Sequence, residues 1–294
     1  MNWRRHGRDI ALVTPFFALF GLFGIWPVLR SAWLSLTDYH ATDAPRFIGL
    51  RNYAELAADE RFWTALGNTA AYMASVSTIA VLLGLVLALN FGSNSRLHQA
   101  VRVAFFLPSV AGGVGAISAW KWLANSEAYG LFNRLRAAFG LAPARFLGDP
   151  GWTLPVLVLV GVWSVLGYNL VIFVAGLRAI PQELYQAARL DGASRWQQLR
   201  HITLPNLRPT LVYVSVTGMI ASFQVFYEPY LLYGAVDTLG GPLDSALMLV
   251  TYLFDRGFRH LDLGLASAAA WVLTLLLFGL TWLSLKLIGQ EAGR

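Results

Sequence analysis

The chain of 294 residues contains no cysteine, which excludes a disulfide framework and any thiolate-held metal. It is also short of charge. Asp, Glu, Lys and Arg together make up 13% of it, against about 25% in an average soluble domain. It has no G-x-x-x-x-G-K-[ST] loop, so it has no such cradle for the phosphates of ATP. The histidines are scattered, H-E-x-x-H is absent, and no two carboxylates fall at catalytic spacing on one apolar run. An enzyme, a resident metal or a bound cofactor is therefore not expected. The formal net charge is +6, but the basic residues are dispersed rather than clustered, which argues against nucleic acid as a partner.

What the chain has instead is apolar length. Hydrophobic residues make up 56% of it and its mean hydropathy is +0.54. The pattern predicts an all-α, polytopic membrane protein with about six transmembrane helices in one transmembrane domain over residues 1–294. The spans are expected at about residues 10–36, 65–91, 101–123, 152–177, 207–232 and 263–288. Arg4, Arg5 and Arg8 precede the first apolar run, which ends in Trp26-Pro27-Val28-Leu29-Arg30 rather than at a small-residue cleavage site. An uncleaved anchor is expected. The density of Lys and Arg in the shorter connections favours a bacterial inner membrane with both termini in the cytoplasm.

Within the third span, Pro108, Gly112, Gly113 and Gly115 would break the helix or let a neighbour approach closely. Packing and gating are both open readings. Between residues 124 and 151, Gly130, Asn133 and Asp149-Pro150 read as turn signals, as does Gly240-Gly241-Pro242 after the fifth span.

The stretch from Arg178 to Arg208 is polar and basic, between two apolar runs. Pro181 suits the first turn of a helix, where no N–H is needed, and Gly192 supplies the backbone freedom that ends it. Ser194 followed three residues later by Gln197 is a capping-box pattern opening a second helix. Pro205 is expected to stop that helix three residues past Ile202. The product is a helix-turn-helix elbow.

Ionisable groups are nearly absent from the spans, which argues against a carrier coupled to protons or sodium. Polar and aromatic residues remain as candidate cargo contacts: Trp163, Tyr168 and Asn169 on span four, and Thr217, Gln224, Tyr227 and Glu228 on span five. Thr217, Gln224 and Glu228 fall seven and four residues apart and would share one helical face. Amides and aromatic rings suit a sugar, whereas an acidic cargo would call for Arg or Lys. For each of these residues, helix packing or an interfacial aromatic belt is an equal alternative.

Gln186-Ala187-Ala188, then Gly192, Ile202 and Leu204-Pro205 at set offsets, resemble the EAA loop of the membrane-spanning subunits of ABC importers. The family's leading glutamate is Gln186 here, and Glu183 lies one turn earlier on the same face. Ile48-Gly49-Leu50-Arg51-Asn52-Tyr53, Phe62-Trp63, Leu107-Pro108 and Gly130 to Asn133 extend the likeness to carbohydrate-uptake permeases over almost the whole chain.

The resemblance implies that Glu183, Gln186, Ala187, Ala188, Asp191, Gly192, Leu204 and Pro205 engage an ATPase. It also implies that segments around Tyr168 and Phe223 to Phe226 approach a sugar. The implied partners are a second, similar permease, two cytoplasmic ATPase subunits that carry ATP and magnesium, an external solute-binding protein, and lipid. Glycerol-3-phosphate or a polyamine is an alternative cargo, and a secondary carrier is the alternative mechanism.

Overall fold

The computed structural model describes residues 3–289 except 42, 94, 112, 128 and 235–238. Gly112 of the expected third span lies outside the described residues. The chain opens with α1 (Trp3–Phe20), a π-helical turn (Gly21–Ile25) and α2 (Trp26–Leu34). A small antiparallel hairpin follows, β1 (Thr37–Asp38) and β2 (Arg46–Phe47), then α3 (Arg51–Ala58), α4 (Glu60–Phe91), α5 (Arg96–Ala111), α6 (Val114–Leu123) and α7 (Leu131–Ala138). After these come α8 (Pro150–Arg178), α9 (Gln182–Leu190), α10 (Arg195–Gln198), α11 (Leu204–Phe223), α12 (Tyr227–Tyr233), α13 (Leu249–Phe254) and α14 (Leu263–Gly289).

Among the described residues, five helical stretches are long and apolar enough to cross a bilayer: Leu12–Leu34, Glu60–Phe91, Pro150–Arg178, Arg195–Tyr233 and Leu263–Lys286. α5 and α6 pass the same test only as a pair, bent by 103° between them, and make a sixth if the pair is one broken span. The bend falls at Gly113, whose φ of +108° is open only to a residue without Cβ. A Cβ on Gly113 or Gly115 would meet nothing within 4 Å, so neither serves packing against the described residues of this chain.

Chain contacts divide the molecule into two compact units. The first joins residues 1–60 to 253–275. In it Asn52, buried on α3, donates to the carbonyls of Ser35 and Thr37, both at 2.9 Å. Arg256 donates to Asp59 at 2.6 Å, and the indole of Trp271 reaches Ser31 at 3.2 Å. From Leu12 to Leu34 no residue of the first span is buried, and most are exposed. Lipid or another subunit is the natural neighbour of such a surface.

The second unit joins residues 61–252 to 276–294. α4 buries Ala65, Thr69, Tyr72, Val76, Ala80, Gly84 and Ala88, one residue every three or four, so a single stripe faces inward. α8 is central: it buries residues on several faces, from Thr153 and Val160 to Phe173 and Val174, and packs against α5, α11 and α12. The closest approach is at Gly167, where a Cβ would collide with the Phe105 carbonyl of α5. Asp149 caps α8, accepting from the N–H of Gly151 at 2.8 Å, with Pro150 in its first turn. Asn133 corrects its reading as a turn residue. It is buried within α7, donates to the carbonyl of Ala144 at 3.1 Å and accepts from the same residue's N–H at 2.9 Å.

The unit has two distinguishable ends. At one, Arg178 at the end of α8 donates to Gly92 just beyond α4. At the other, Arg61 pairs with Asp244 at 2.8 Å and Ser245 donates to Thr153 at 3.0 Å. α5 begins beside Arg178, while α6 leads to Ala124, which is buried with Phe146, and Phe146 meets Trp152 at the start of α8. The bent pair therefore crosses the unit from end to end.

Candidate functional site

The elbow projects from the end of α8 that carries Arg178. Pro181 lies one position before α9, at its N-cap, with an extended ψ of 130°. The first helical residue is Gln182, so the sequence expectation is shifted by one. The other end of α9 closes as the chemistry of glycine predicts. Gly192 has a φ of +77°. Its N–H donates to Arg189 at 3.1 Å, and that of Ala193 donates to Ala188 at 2.8 Å. This pair of bonds is the Schellman motif, which satisfies carbonyls that the helix end leaves without partners.

The second helix starts on a complete capping box. The Gln197 N–H donates to the Ser194 hydroxyl at 3.3 Å, and the Ser194 N–H donates to the Gln197 side chain at 2.7 Å. Pro205 does not stop this helix. α10 widens into a π-helical turn over Leu199–Thr203 and runs straight into α11, with the Leu204 N–H reaching back to Leu199. Proline breaks a helix because it lacks a donor and its ring crowds the carbonyl four residues back. Here Pro205 falls in the first turn of α11, just after the wider turn. The second elbow helix and α11 are thus one continuous rod.

Three residues without a part in the sequence reading brace the elbow. The hydroxyls of Tyr185 and Thr203 lie 2.9 Å apart, Thr203 also donates to Gln198 at 3.3 Å, and the Gln198 amide donates to Ala193 at 2.9 Å. Eighteen residues separate Tyr185 from Thr203, so no local pattern could have paired them. Between the two helices lies a cleft of about 400 Å³, lined in part by Ala188, Asp191, Gly192, Gln197 and His201.

Glu183, Gln186 and Ala187 are exposed on α9, and Asp191 follows it as its C-cap. Leu204 and Pro205 open α11, the first half-buried and the second exposed. Leu190 is 90% and Trp196 67% exposed.

The candidate cargo contacts are only partly brought together. Tyr168 of α8 and Tyr213 of α11 approach hydroxyl to hydroxyl at 3.2 Å, and Thr217 donates to the Tyr213 carbonyl at 2.7 Å. Tyr168 and Tyr213 are exposed, so a polar surface joins spans four and five. Tyr213 escaped the sequence reading; a residue one turn before Thr217 was the available signal.

Asn169 is buried, with its Cβ next to Gly84 of α4, away from Tyr168's surface. Trp163 stacks edge-on to Trp120 at 5.5 Å. The shared face of Thr217, Gln224 and Glu228 does not exist, because α11 ends at Phe223 and α12 begins only at Tyr227. Gln224 is an exposed C-cap with φ −98° and ψ 16°. Tyr227 is exposed and Glu228 half-buried in the first turn of α12. No group of His, Cys, Asp and Glu among the described residues has a metal-holding arrangement.

The comparisons with known proteins agree with this architecture. Residues 80–288 match the family described as binding-protein-dependent transport system inner membrane component. The chain is 34% identical over 278 residues to the probable ABC transporter permease protein YesP of Bacillus subtilis, covering 94% of this chain and 88% of that one. It is 30% identical to the arabinooligosaccharides transport system permease protein AraP of the same organism, over 95% of this chain and 88% of the relative. In structure it resembles a chain of a bacterial alginate ABC transporter crystallised with its pentasaccharide-bound periplasmic protein. The TM-score is 0.83 at 22% identity, covering 96% and 95% of the two chains; this likeness speaks to fold. An elbow running on into a membrane span, five to six candidate spans among the described residues, and a family match over most of the length converge: the chain belongs to the binding-protein-dependent transport system inner membrane components.

Proposed function

We propose that this chain is the permease subunit of an ATP-driven importer and forms half of the translocation path for a sugar delivered by an external binding protein. The observation that carries this reading is the elbow: doubly capped, cross-braced through Tyr185 and Thr203, and continuous with α11. A rigid lever transmits displacement, whereas a flexible loop would dissipate it. One of two cytoplasmic ATPase subunits docks on Glu183, Gln186, Ala187, Ala188, Asp191 and Gly192, with Leu190 and Trp196 covered by it. ATP and magnesium belong to those subunits. A second permease supplies the other half of the path, and the elbow end, with both termini, faces the cytoplasm.

The cargo reading rests on the Tyr168, Tyr213 and Thr217 surface, whose hydroxyls and rings suit a neutral sugar. Relatives named for arabinooligosaccharide and lactose transport support it. The test is reconstitution of this chain with its partner permease, ATPases and binding protein in vesicles. Sugar uptake should require both ATP and the binding protein. Uptake by vesicles that lack the ATPases would overturn the proposal and favour a secondary carrier.

A further inference from the structure

At the end of the second unit opposite the elbow, the chain turns through Gly241 and Pro242 and then holds two residues with Cβ in the left-handed region. Leu243 has φ 52° and ψ 39°, and Asp244 has φ 55°. Aspartate accepts that conformation because its short side chain can hydrogen-bond locally, whereas for a bulky leucine it is a costly outlier. The surroundings impose it. Arg61 grips the Asp244 carboxylate with two bonds, at 2.8 and 3.1 Å, and Asn68 donates to the carbonyls of Asp244 and Leu247 at 2.9 and 3.1 Å. The Ala246 N–H closes the turn on the Gly240 carbonyl at 2.7 Å. Among the described residues from 239 to 249, Leu243 alone is exposed, at 89%. We infer that Leu243 is a fixed apolar knob that seats in an apolar pocket of the external binding protein; this rests on the importer reading, which turns this end outward.

Strained backbone persists only where its surroundings over-determine it, and it gathers at binding sites. Glycine or asparagine would fill this position without strain, so the turn has no need of leucine and the use lies in the side chain. Its rigid mounting says what kind of partner covers it. Fluid hydrocarbon buries a leucine equally well from a flexible loop, whereas a partner with a shape of its own gains from a knob that is already in place. The Arg61 and Asp244 side chains are 39% and 27% exposed, and such an ion pair is expensive among acyl chains. The residue beside it therefore stands clear of the hydrocarbon. Two permeases meet along their spans, but the end of the unit is the surface that a water-soluble protein can reach, and the family to which the chain belongs depends on one. Arg61 and Asp244 offset each other in charge, so the pocket that fits the knob is uncharged as well as apolar.

The experiment places the complete transporter in lipid nanodiscs and reads its ATPase rate against the concentration of purified binding protein. Leu243→Asn keeps the left-handed turn, which asparagine tolerates, and removes the knob. Its half-saturating concentration should rise roughly tenfold or more, as loss of a buried leucine side chain predicts. The rate without binding protein and the melting temperature should not fall. Leu243→Met, apolar and of similar volume, should bind more tightly than Leu243→Asn. A photo-crosslinking residue in place of Leu243 should capture the binding protein. An unchanged half-saturating concentration in Leu243→Asn, a lowered rate without binding protein, or capture of lipid or the second permease instead would each overturn the inference. A wild-type complex whose ATPase ignores the binding protein altogether would refute the importer reading itself.

Discussion

The hydroxyl of Tyr185 meets that of Thr203 at 2.9 Å and locks the first elbow helix onto the π-helical turn that opens the fifth span. Thr203 is buried and Tyr185 half-buried, so the contact is shielded from competing water. It ties the first elbow helix to the turn that opens α11.

Tyr185→Phe removes one hydroxyl and leaves the ring. A hydrogen bond of this kind contributes about 0.5–1.5 kcal/mol, too little to unfold a membrane protein. The expected result is normal insertion and assembly with fewer sugars imported per ATP hydrolysed. Simultaneous measurement of ATPase rate and flux in reconstituted vesicles checks it; an unchanged ratio would mean that the brace plays no part in coupling.

Gly192 allows the backbone and partner contributions to be separated. Its φ of +77° costs a residue with Cβ roughly 1 kcal/mol or more, yet an added Cβ would meet nothing within 4 Å in this chain. Gly192→Asn should therefore keep the turn, since Asn tolerates that conformation, while Gly192→Val should strain it. Wild-type coupling in Gly192→Asn with loss in Gly192→Val would identify the turn itself as the requirement. Loss in both would place the constraint on the ATPase surface pressed against it.

Tyr168 and Tyr213 form one hydrogen-bonded pair. If the pair contacts cargo as a unit, Tyr168→Phe, Tyr213→Phe and the double variant should raise the KM for binding-protein-delivered sugar by similar factors, clearly short of additive. Additive effects would show two independent contacts, and no effect in any of the three would remove this surface from the path.

Asn133 ties α7 to two stretches of chain, donating to Ala144 and toward Ser126 at 3.1 Å each while accepting from the Ala144 N–H. Asn133→Leu leaves those part-buried backbone groups without this partner, at up to about 1–3 kcal/mol each where water cannot reach them. A clear fall in melting temperature is expected, with elbow function intact in the protein that survives. Thermal unfolding followed by tryptophan fluorescence measures it.

Sequence alone settled what local chemistry can settle. Composition fixed the solvent, because a chain with so few charges and such long apolar runs has to bury its backbone polar groups in helices within lipid. The elbow's caps were legible because each involves residues no more than five apart: Gly192 with Arg189, Ala193 with Ala188, and Ser194 with Gln197. Such bonds depend on φ, ψ and side-chain length, which a sequence specifies directly.

Tertiary structure decided the rest. Pro205 could not be recognised as an interior residue of a longer rod, since only the wider turn at Leu199–Thr203 accommodates it. The fifth span's interruption at Gln224 to Phe226 dissolved a face that a regular helical period would have made real. Asn169, equally polar as its neighbours, is buried beside Gly84. The brace from Tyr185 to Thr203 and the convergence of Arg102 with Arg178 on one groove arise between residues 18 or more apart. The first is set by the turn at Gly192 that folds α9 back on the following helix, the second by the packing of α5 on α8, where Gly167 lets α5 come close and a larger residue would not.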